Sequence, residues 1–276
     1  MPEGPEVEVV RQSLEEVLLH QRIARVKVSD KALRRPVTQK DFNFLKGAVV
    51  QQCLRRGKFL YCLTGPHQGF WCRLGMAGKL LWQNKGAPLR PHSHVVLHFD
   101  NGQRLAYVDP RRFGELVPFP SLAMLETELQ KLGPDPLSWS EPDKQRVVRA
   151  LGQTKRQIKV ALLDQGILSG VGNIYACEAL FEAHISPFRQ SKSLNINERF
   201  RLLNATEAIL KRAVAHGGTT FSDYEQPDGS AGDNFNHRQV FQRDEEPCHQ
   251  CNTPIKSRTQ HGRSTFFCPR CQKTRG

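Results

Sequence analysis

The sequence predicts an α+β fold in several domains: a β-sandwich or barrel preceded by one helix, then a helical domain, then a small zinc-binding segment. Short apolar runs of strand-like composition fill the first 130 residues. After them the apolar residues recur at helical spacing, and four cysteines form two close pairs near the end. These changes divide the chain into residues 1–130, 131–238 and 239–276.

The first 130 residues begin with a predicted helix from Pro5 to about Leu19, since proline suits a first helical turn. Its apolar stripe consists of Val7, Val10, Leu14, Val17 and Leu18. The predicted strands that follow are IARVKV, AVVQQCL, KFLYCL, FWCRL, HVVLHF and RLAYV. Asp100-Asn101-Gly102 joins the last two and is a strong hairpin signal.

The segment LGPDPLSWSEPD, rich in Pro, Ser and Asp, ends the strand pattern. Beyond it the spacing predicts helices at about residues 143–151, 155–165, 173–183 and 197–215. A stretch rich in Gly, Asp and Asn, from about residue 217 to 239, then leads to the cysteine pairs. A loop of that length is typical of a functional segment.

The two cysteine pairs predict one structural zinc ion. Two Cys-x2-Cys pairs separated by sixteen residues supply four ligands: Cys248, Cys251, Cys268 and Cys271. Four thiolates fill a tetrahedral site and leave no position for water or substrate, so the metal builds structure. No Asp or Glu follows Cys248, and six basic residues surround the pairs, which suits contact with phosphate.

The chain as a whole is strongly basic. Its 276 residues include 40 Lys and Arg against 27 Asp and Glu, a formal net charge of +13 that is not gathered in a tail. This excess indicates a polyanionic partner, and a merely basic soluble protein is the alternative.

The sequence contains no pattern for export or membrane insertion. The start, MPEGPEVEVV, has no basic segment followed by an apolar run, and no stretch approaches the ~18 apolar residues of a membrane span. The remaining cysteines stand singly in apolar segments: Cys53, Cys62, Cys72 and Cys177. We expect a soluble cytoplasmic monomer, nucleoid-associated if bacterial, with no membrane partner.

The first residues could carry chemistry. Removal of Met1 would expose Pro2 as a secondary α-amine, and an α-amine, with a reference pKa of ~8 against ~10.4 for lysine, is far more nucleophilic at neutral pH. Pro2 could then form an iminium with an aldehyde. Glu3 and Glu6 place carboxyls beside it that could move protons. Ordinary helix capping is the alternative explanation for these residues.

Several motifs together resemble the formamidopyrimidine-DNA glycosylase family, across essentially the whole chain and in the family's order. They are PEGPEVE, RRGKFL, RLGMAGKL, DPRRFG, LLDQGILSGVGNIYACEAL and the cysteine pairs. The resemblance implies an N-terminal catalytic β-sandwich, a helix-two-turns-helix DNA-binding domain with a lesion-capping loop, and a zinc finger. Its substrate would be double-stranded DNA containing an oxidised base or an abasic site.

The resemblance also implies a bifunctional enzyme that excises a damaged base and cuts the backbone by β,δ-elimination. Pro2 would attack C1′ of the deoxyribose, Glu3 would protonate the sugar ring oxygen, and Glu6 would support the flipped base and the amine. Lys58 would contact phosphate at the lesion and assist elimination. Without the resemblance, the alternative for Lys58 is an ordinary solvated lysine. Arg263 would bind the phosphates around the lesion.

Met76, Arg111 and Phe113 match the residues with which the family fills the gap left by the flipped nucleotide. Their chemistry suits that role, because Phe113 can enter a base step, Met76 adapts to an irregular gap, and Arg111 can hydrogen-bond the unpaired base. The local alternative is a buried Met76 and Phe113 with Arg111 paired to Asp109.

The remaining matches are DNA-binding positions. Asn173 follows Gly170-Val171-Gly172 at a helix start, where backbone amides can hold an anion, with a plain helix cap as the alternative. The other positions are His92, Thr154 or Lys155, and Lys159. His92 stands in Pro-His-Ser-His rather than the family's Lys-His-Asp-His, so an ordinary surface histidine is the alternative for it.

Different motifs in the sequence indicate different preferred lesions. Gly4 gives a start more typical of endonuclease VIII, a relative that prefers oxidised pyrimidines, whereas the longer motifs favour 8-oxoguanine and formamidopyrimidines. The loop after Gly218, with Thr219, Thr220 and Tyr224, would cap the flipped base.

Two other classes of protein fit the sequence less well. A zinc-ribbon DNA-binding protein without catalysis would not need Pro2, Glu3, Lys58 and Arg263 together. A zinc deaminase or nuclease would need His-x-Glu and an open coordination position on the metal, and both are missing from the sequence pattern.

Overall fold

The computed structural model describes residues 2–219 and 232–273. The chain forms two compact units, one of Met1–Gln130 with His216–Phe235 and the other of Lys131–Ala215 with Asn236–Gly276. No helix within the described residues is both long and apolar enough to cross a membrane.

Within the residues that the structure describes, the first unit contains two α-helices and eight strands. They are α1 (Gly4–Leu18), β1 (Ile23–Val28), β2 (Gln52–Arg56), β3 (Phe59–Leu63), β4 (Gly69–Arg73), β5 (Lys79–Gln83), β6 (Ser93–Phe99), β7 (Arg104–Val108), β8 (Glu115–Phe119) and α2 (Leu122–Leu129). A short 3-10 helix lies at Gln39–Leu45.

The strands form two antiparallel four-stranded sheets, in the orders β1-β6-β7-β5 and β2-β3-β4-β8. Alternate side chains of both sheets and the apolar stripe of α1 share one buried core, which makes this unit a β-sandwich. The predicted hairpin at residues 100–102 joins β6 and β7, and Gly102 has a φ of 82° there.

Helix α1 forms where the sequence predicts it. Pro5 lies in its first turn, and Glu3 and Glu6 form a capping box that satisfies N–H groups at the helix start. Val7, Val10, Leu14 and Leu18 are buried in the sandwich core and Val17 packs beside them, so tertiary burial stabilises the helix. The helix fixes the beginning of the chain against the sandwich.

Two strands and one helix were not predicted: β5, β8 and α2. Pro118 lies inside β8, and proline argues against a central strand because it donates no ladder hydrogen bond. β8 is an edge strand, where that missing donor is tolerated. β5 is the edge strand of the other sheet, and only five residues long.

The second unit contains α3 (Glu141–Gln153), α4 (Ile158–Leu162), α5 (Asn173–Glu182), α6 (Ile196–Ala215), β9 (Lys256–Gln260) and β10 (Arg263–Phe267). A short 3-10 helix lies at Ser191–Ser193. Another, Asn234–His237, lies where the chain passes from the first unit to the second. The four predicted helices are present, but α4 has only five residues and the prediction extended it over 155–165.

The helices and the zinc-binding segment pack together in this unit. Cys177 and Phe181 of α5 lie in one buried cluster with Val240, Ile255 and Phe266. Glu178, also in α5, accepts the backbone N–H groups of residues 239, 240 and 241 at 2.8, 3.0 and 2.8 Å. The segment that leads into the cysteine pairs is therefore anchored to α5.

Candidate active site

Two carboxyl groups are buried at the start of α1. Glu6 Oε2 accepts the backbone N–H of Glu3 at 2.8 Å within the capping box. The two residues, Glu3 and Glu6, are 3% and 1% exposed, and Pro2 is buried immediately before them. Carboxyls near a helix N-terminus, shielded from water, are suited to proton transfer at a neighbouring reactive group.

The second oxygen of Glu6 binds a distant segment of the chain. Glu6 Oε1 accepts the backbone N–H of Thr219 at 2.8 Å, and a Cβ on Gly218 would lie 3.2 Å from Glu6 Cγ. Gly218 has a φ of +79°, a left-handed conformation that favours glycine. The carboxylate thus holds both the helix start and the beginning of the loop that follows Gly218. Thr220 and Tyr224 of that loop lie outside the described residues.

Lys58 lies in the two-residue turn between β2 and β3 and is half-buried. Gly57 has a φ of 61°, which such a hairpin turn requires. Arg55 Nη1 donates to the Gly57 carbonyl at 2.7 Å, and Arg55 Nε donates to Glu8 Oε2 at 2.7 Å. Arg55 therefore links the Lys58 turn to α1, a role for Arg55 and Glu8 that sequence reasoning missed.

The three predicted gap-filling side chains lie on two neighbouring loops of the sandwich. Met76 is 40% exposed and Phe113 is 48% exposed, while Arg111 places its guanidinium carbon 5.1 Å from the centre of the Phe113 ring. The alternative of a buried Met76 and Phe113 is wrong. Exposed large apolar side chains beside an arginine can enter and cap a base stack.

His92 is exposed and has a φ of 65° at the start of the segment that leads into β6. Its backbone carbonyl accepts the N–H of Asp109 at 3.1 Å. The neighbouring His94 is 3% exposed. The position leaves the His92 side chain accessible, and its phosphate contact stays a prediction.

In the second unit, Lys159 and Asn173 converge on one carbonyl. Lys159 Nζ donates to the Ser264 carbonyl at 3.0 Å and to Thr265 Oγ1 at 2.7 Å, and Asn173 Nδ2 donates to the same carbonyl at 2.9 Å. Lys159 is only 1% exposed. In this structure both side chains brace the strand that begins with Arg263, and their predicted DNA contacts stay predictions.

Arg263 is exposed at the start of β10, directly after the turn of the zinc-segment hairpin. Its cross-strand partner is Gln260, whose Nε2 donates to Gln157 Oε1 at 2.6 Å and to the Pro187 carbonyl at 3.2 Å. The backbone around Arg263 is therefore fixed while its guanidinium stays accessible.

Thr154 and Lys155 follow α3. Thr154 is the C-cap residue and is half-buried, and its Oγ1 accepts the backbone N–H of Arg156 at 3.3 Å. Lys155 is exposed. Of the two alternatives for one DNA-binding position, Lys155 is the more accessible side chain and the one that carries a charge.

The four predicted metal ligands come together. The Sγ atoms of Cys248, Cys251, Cys268 and Cys271 all lie within 4.8 Å of one another. Cys248 and Cys271 are 3.9 Å apart, and Cys251 and Cys268 are 3.5 Å apart. Tetrahedral zinc with bonds of ~2.3 Å separates its sulfur ligands by about 3.8 Å, so the cluster fits one structural zinc ion.

Comparison with known proteins agrees with this geometry. Three family models match: the formamidopyrimidine-DNA glycosylase N-terminal domain over residues 1–116, its H2TH domain over residues 132–225, and the zinc finger found in FPG and IleRS over residues 245–274.

Curated and solved relatives span nearly the full length. A formamidopyrimidine-DNA glycosylase of Wolbachia sp. subsp. Drosophila simulans is 38% identical over 275 residues, 99% of this chain and 100% of the relative. The crystal structure of the MutM (Fpg) protein from Thermus thermophilus is 38% identical, with a TM-score of 0.85 over 98% of each chain.

Fpg (MutM) of Lactococcus lactis is 31% identical, with a TM-score of 0.89 over 99% of this chain and 100% of that one. It has been solved with DNA containing N7-benzyl-Fapy-dG and with DNA containing an oxidised pyrimidine.

Proposed function

This chain belongs to the formamidopyrimidine-DNA glycosylase family, whose members are base-excision repair glycosylases and AP lyases, and we propose that it removes oxidised purines from double-stranded DNA. Its preferred lesions would be 8-oxoguanine and formamidopyrimidines, and it would also act at abasic sites. The buried arrangement of Pro2, Glu3 and Glu6 at the start of α1 carries the proposal.

The first step is base excision. With Met1 removed, the neutral Pro2 amine attacks C1′, and the bond from C1′ to the base breaks. The base leaves with the bonding electrons and takes up the proton that the Pro2 nitrogen releases. Glu3 donates a proton to the sugar ring oxygen, which opens the ring and yields an iminium between Pro2 and C1′. Glu6 has both oxygens on backbone N–H groups, which supports a role in holding Glu3 and the following loop in place.

The second step is strand cleavage. The iminium withdraws electrons and acidifies the C2′ proton, so β-elimination breaks the bond from C3′ to its phosphate oxygen. A further δ-elimination breaks the bond from C5′ to the other phosphate oxygen. Lys58 and Arg263 stabilise these phosphate leaving groups as cations. A zinc ion held by the four clustered thiolates would have no open position for substrate, so it would take no part in either step and would serve to fold the segment that carries Arg263.

Excision requires the damaged base to leave the stack, at a cost of a few kcal/mol. Met76, Arg111 and Phe113 offset that cost by filling the gap, and their exposure supports this role. The net charge of +13 supports a phosphate-contacting surface, so DNA affinity should fall steeply as salt rises. A flat salt response would contradict this surface.

Endonuclease VIII-like excision of oxidised pyrimidines is the second candidate function. It is favoured by Gly4, buried at the first position of α1, and by the oxidised-pyrimidine complex of the Lactococcus lactis relative. The longer motifs DPRRFG and GVGNIYACEAL favour purines. The third hypothesis is a non-catalytic DNA-binding protein. Such a protein would form no covalent adduct with DNA.

Borohydride trapping on a lesion panel tests the proposal. The protein is mixed with duplexes containing 8-oxoguanine, a formamidopyrimidine or thymine glycol, reduced, and digested to locate the linkage. We expect an adduct at Pro2, strongest with the purine lesions. Pro5→Ala is the control and should trap DNA as wild type does, because Pro5 lies in the first turn of the same helix but has no free amine.

Each outcome of the panel is decisive. Stronger trapping on thymine glycol would shift the assignment to oxidised pyrimidines. No adduct on any lesion would overturn the enzymatic role of Pro2.

We also place the protein in the cytoplasm as a monomer. Fractionation of cells and light scattering of the purified protein check these two assignments.

A further inference from the structure

A single buried carboxylate organises the loop that carries Arg111 and Phe113. Asp109 is 0% exposed and follows β7. Its Oδ1 accepts the backbone N–H of Arg111 at 3.1 Å, and its Oδ2 accepts the backbone N–H of Gly114 at 2.8 Å. The two bonds tie both ends of the loop to one side chain, so the loop conformation depends on Asp109.

The Tyr107 hydroxyl supplies the third hydrogen bond to this carboxylate, at 3.1 Å to Oδ2. The hydroxyl lies against two glycines, because a Cβ on Gly114 would be 2.2 Å from it and a Cβ on Gly78 would be 2.9 Å from it. Both glycines are therefore required for the close approach of the backbone. Tyr107 is itself fully buried in the sandwich core.

The loop that presents Met76 packs against the loop that carries Arg111 and Phe113. A Cβ on Gly75 would lie 2.6 Å from the Gly114 nitrogen and 2.7 Å from the Phe113 carbonyl carbon. Gly78 N–H donates to the Leu74 carbonyl at 2.9 Å and closes the turn that presents Met76. Residues 74–78 and 109–114, the wedge loops, are thus packed backbone to backbone.

The backbone of Asp109 is anchored from the other side. His94 Nε2 lies 3.0 Å from the Asp109 carbonyl, and His94 Nδ1 lies 3.2 Å from Ser29 Oγ. A carbonyl can only accept, so Nε2 carries the hydrogen and, in the neutral ring, Nδ1 accepts from Ser29. This partly buried chain of hydrogen bonds holds Asp109 against the sandwich.

We propose that Asp109 and Tyr107 are positioning residues that hold the wedge loops in the form that enters the DNA stack. The inference rests on the proposed function. Flexible loops would have to be ordered each time Met76 and Phe113 entered a base step, and that loss of entropy would slow flipping of the damaged base. Buried hydrogen bonds to Asp109 order the loops before DNA binds, so they accelerate the step without touching the reacting atoms.

Asp109→Asn is the principal test variant, because the amide keeps the shape but cannot accept all three hydrogen bonds. Its NH2 group, which can only donate, must face either the Arg111 N–H or the Gly114 N–H and the Tyr107 hydroxyl. In either orientation at least one of the hydrogen bonds made by Asp109 is lost. Tyr107→Phe removes one of the three bonds and keeps the ring. Asp100→Asn is the matched control, since that side chain is 58% exposed in the β6–β7 hairpin.

Two substrates separate positioning from chemistry. Borohydride trapping on a single-stranded abasic oligonucleotide needs the Pro2 amine but no gap filling in a duplex. Single-turnover excision of 8-oxoguanine from a duplex needs both, and 2-aminopurine beside the lesion reports unstacking by its fluorescence.

For Asp109→Asn we expect single-strand trapping within about twofold of wild type. Duplex excision and the rise in 2-aminopurine fluorescence should both slow about tenfold or more. Tyr107→Phe should show a smaller loss of the same kind, and Asp100→Asn should show none.

The results distinguish a failure of the proposed function from a failure of the positioning role. If wild type traps no DNA, the proposed function fails. If wild type is active and Asp109→Asn matches it on duplex DNA, or loses both substrates equally, the positioning role is overturned. If Asp109→Asn does not fold, Tyr107→Phe decides by the same comparison.

Discussion

Substituting Gly218 with alanine tests whether the Glu6 carboxylate must be held where the structure places it. Gly218 has a φ of +79°, and the added Cβ would lie 3.2 Å from Glu6 Cγ and 3.3 Å from Glu6 Oε1. Those distances are shorter than ordinary contacts, and buried Glu6 has little room to yield. The carboxylate must move or its 2.8 Å bond from Thr219 must lengthen.

The substitution Gly218→Ala has two energetic costs, one in the backbone and one in the hydrogen bond to Glu6. A left-handed alanine costs about 1 kcal/mol relative to glycine. A weakened hydrogen bond to a charged group costs about 1.5–3 kcal/mol more. Because about 1.4 kcal/mol is a factor of ten in rate, excision should fall about tenfold to a hundredfold if Glu6 supports the reacting amine.

Gly86→Ala is the matched control. Gly86 has a φ of +82°, and nothing lies within 4 Å of an added Cβ. Both variants carry the same backbone strain, so both should lose a few degrees in thermal unfolding, and Gly218→Ala should lose more because the hydrogen bond from Thr219 to Glu6 also weakens. Only Gly218→Ala should lose single-turnover excision of 8-oxoguanine. Equal activity of the two variants would refute a positional role for the Glu6 carboxylate.

Three further predictions concern the second unit and the metal. Chelation of zinc should abolish DNA binding and cleavage, as followed by gel shift and nicking, while Pro2 still reacts with a small aldehyde under borohydride. Burial raises the pKa of Glu207, but hydrogen bonds from two lysines and Trp139 outweigh it and lower that pKa to about 2. The resulting stability, reduced by solvent screening to about 1 kcal/mol, is complete above pH ~4.5 and is lost as the pH falls towards 2. Glu207→Gln should therefore flatten acid unfolding in that window, and an unchanged slope would contradict the pairing. Lys159→Met keeps the volume but removes the donors to Ser264, so it should lower unfolding free energy by about 1–3 kcal/mol and weaken DNA binding.

The features that local sequence predicts are those whose physics is local. The Cys-x2-Cys pairs supply two ligands each from one turn, so the zinc site follows from spacing alone. The stripe of α1 and the Asn-Gly turn before β7 depend on neighbours a few residues apart, and both formed as predicted. The sequence analysis does not predict β8, which contains Pro118, and whether a strand tolerates proline depends on its place at the sheet edge, which the local sequence does not specify.

Chemistry at the candidate site was predictable only as residue types. Resemblance and residue chemistry selected Pro2, Glu3, Lys58 and Arg263, but no spacing rule gives the hydrogen bond from Thr219 to Glu6, which lies 213 residues away in the chain. The same holds for Arg55, whose link between Glu8 and the Lys58 turn requires the pairing of β2 with β3 and the packing of α1.

The sequence by itself determined a basic chain with a tetrahedral zinc site, an N-terminal helix and a set of reactive residue types, because composition and short-range spacing control those properties. Only the tertiary structure decided which side chains are buried and which are accessible. Lys159 is buried against Ser264, whereas Met76 and Phe113 protrude. Local spacing favours neither outcome, and only the family resemblance indicated accessible side chains at Met76 and Phe113. Burial depends on which distant segments the fold brings together, and that information is spread over the whole chain rather than held at one position.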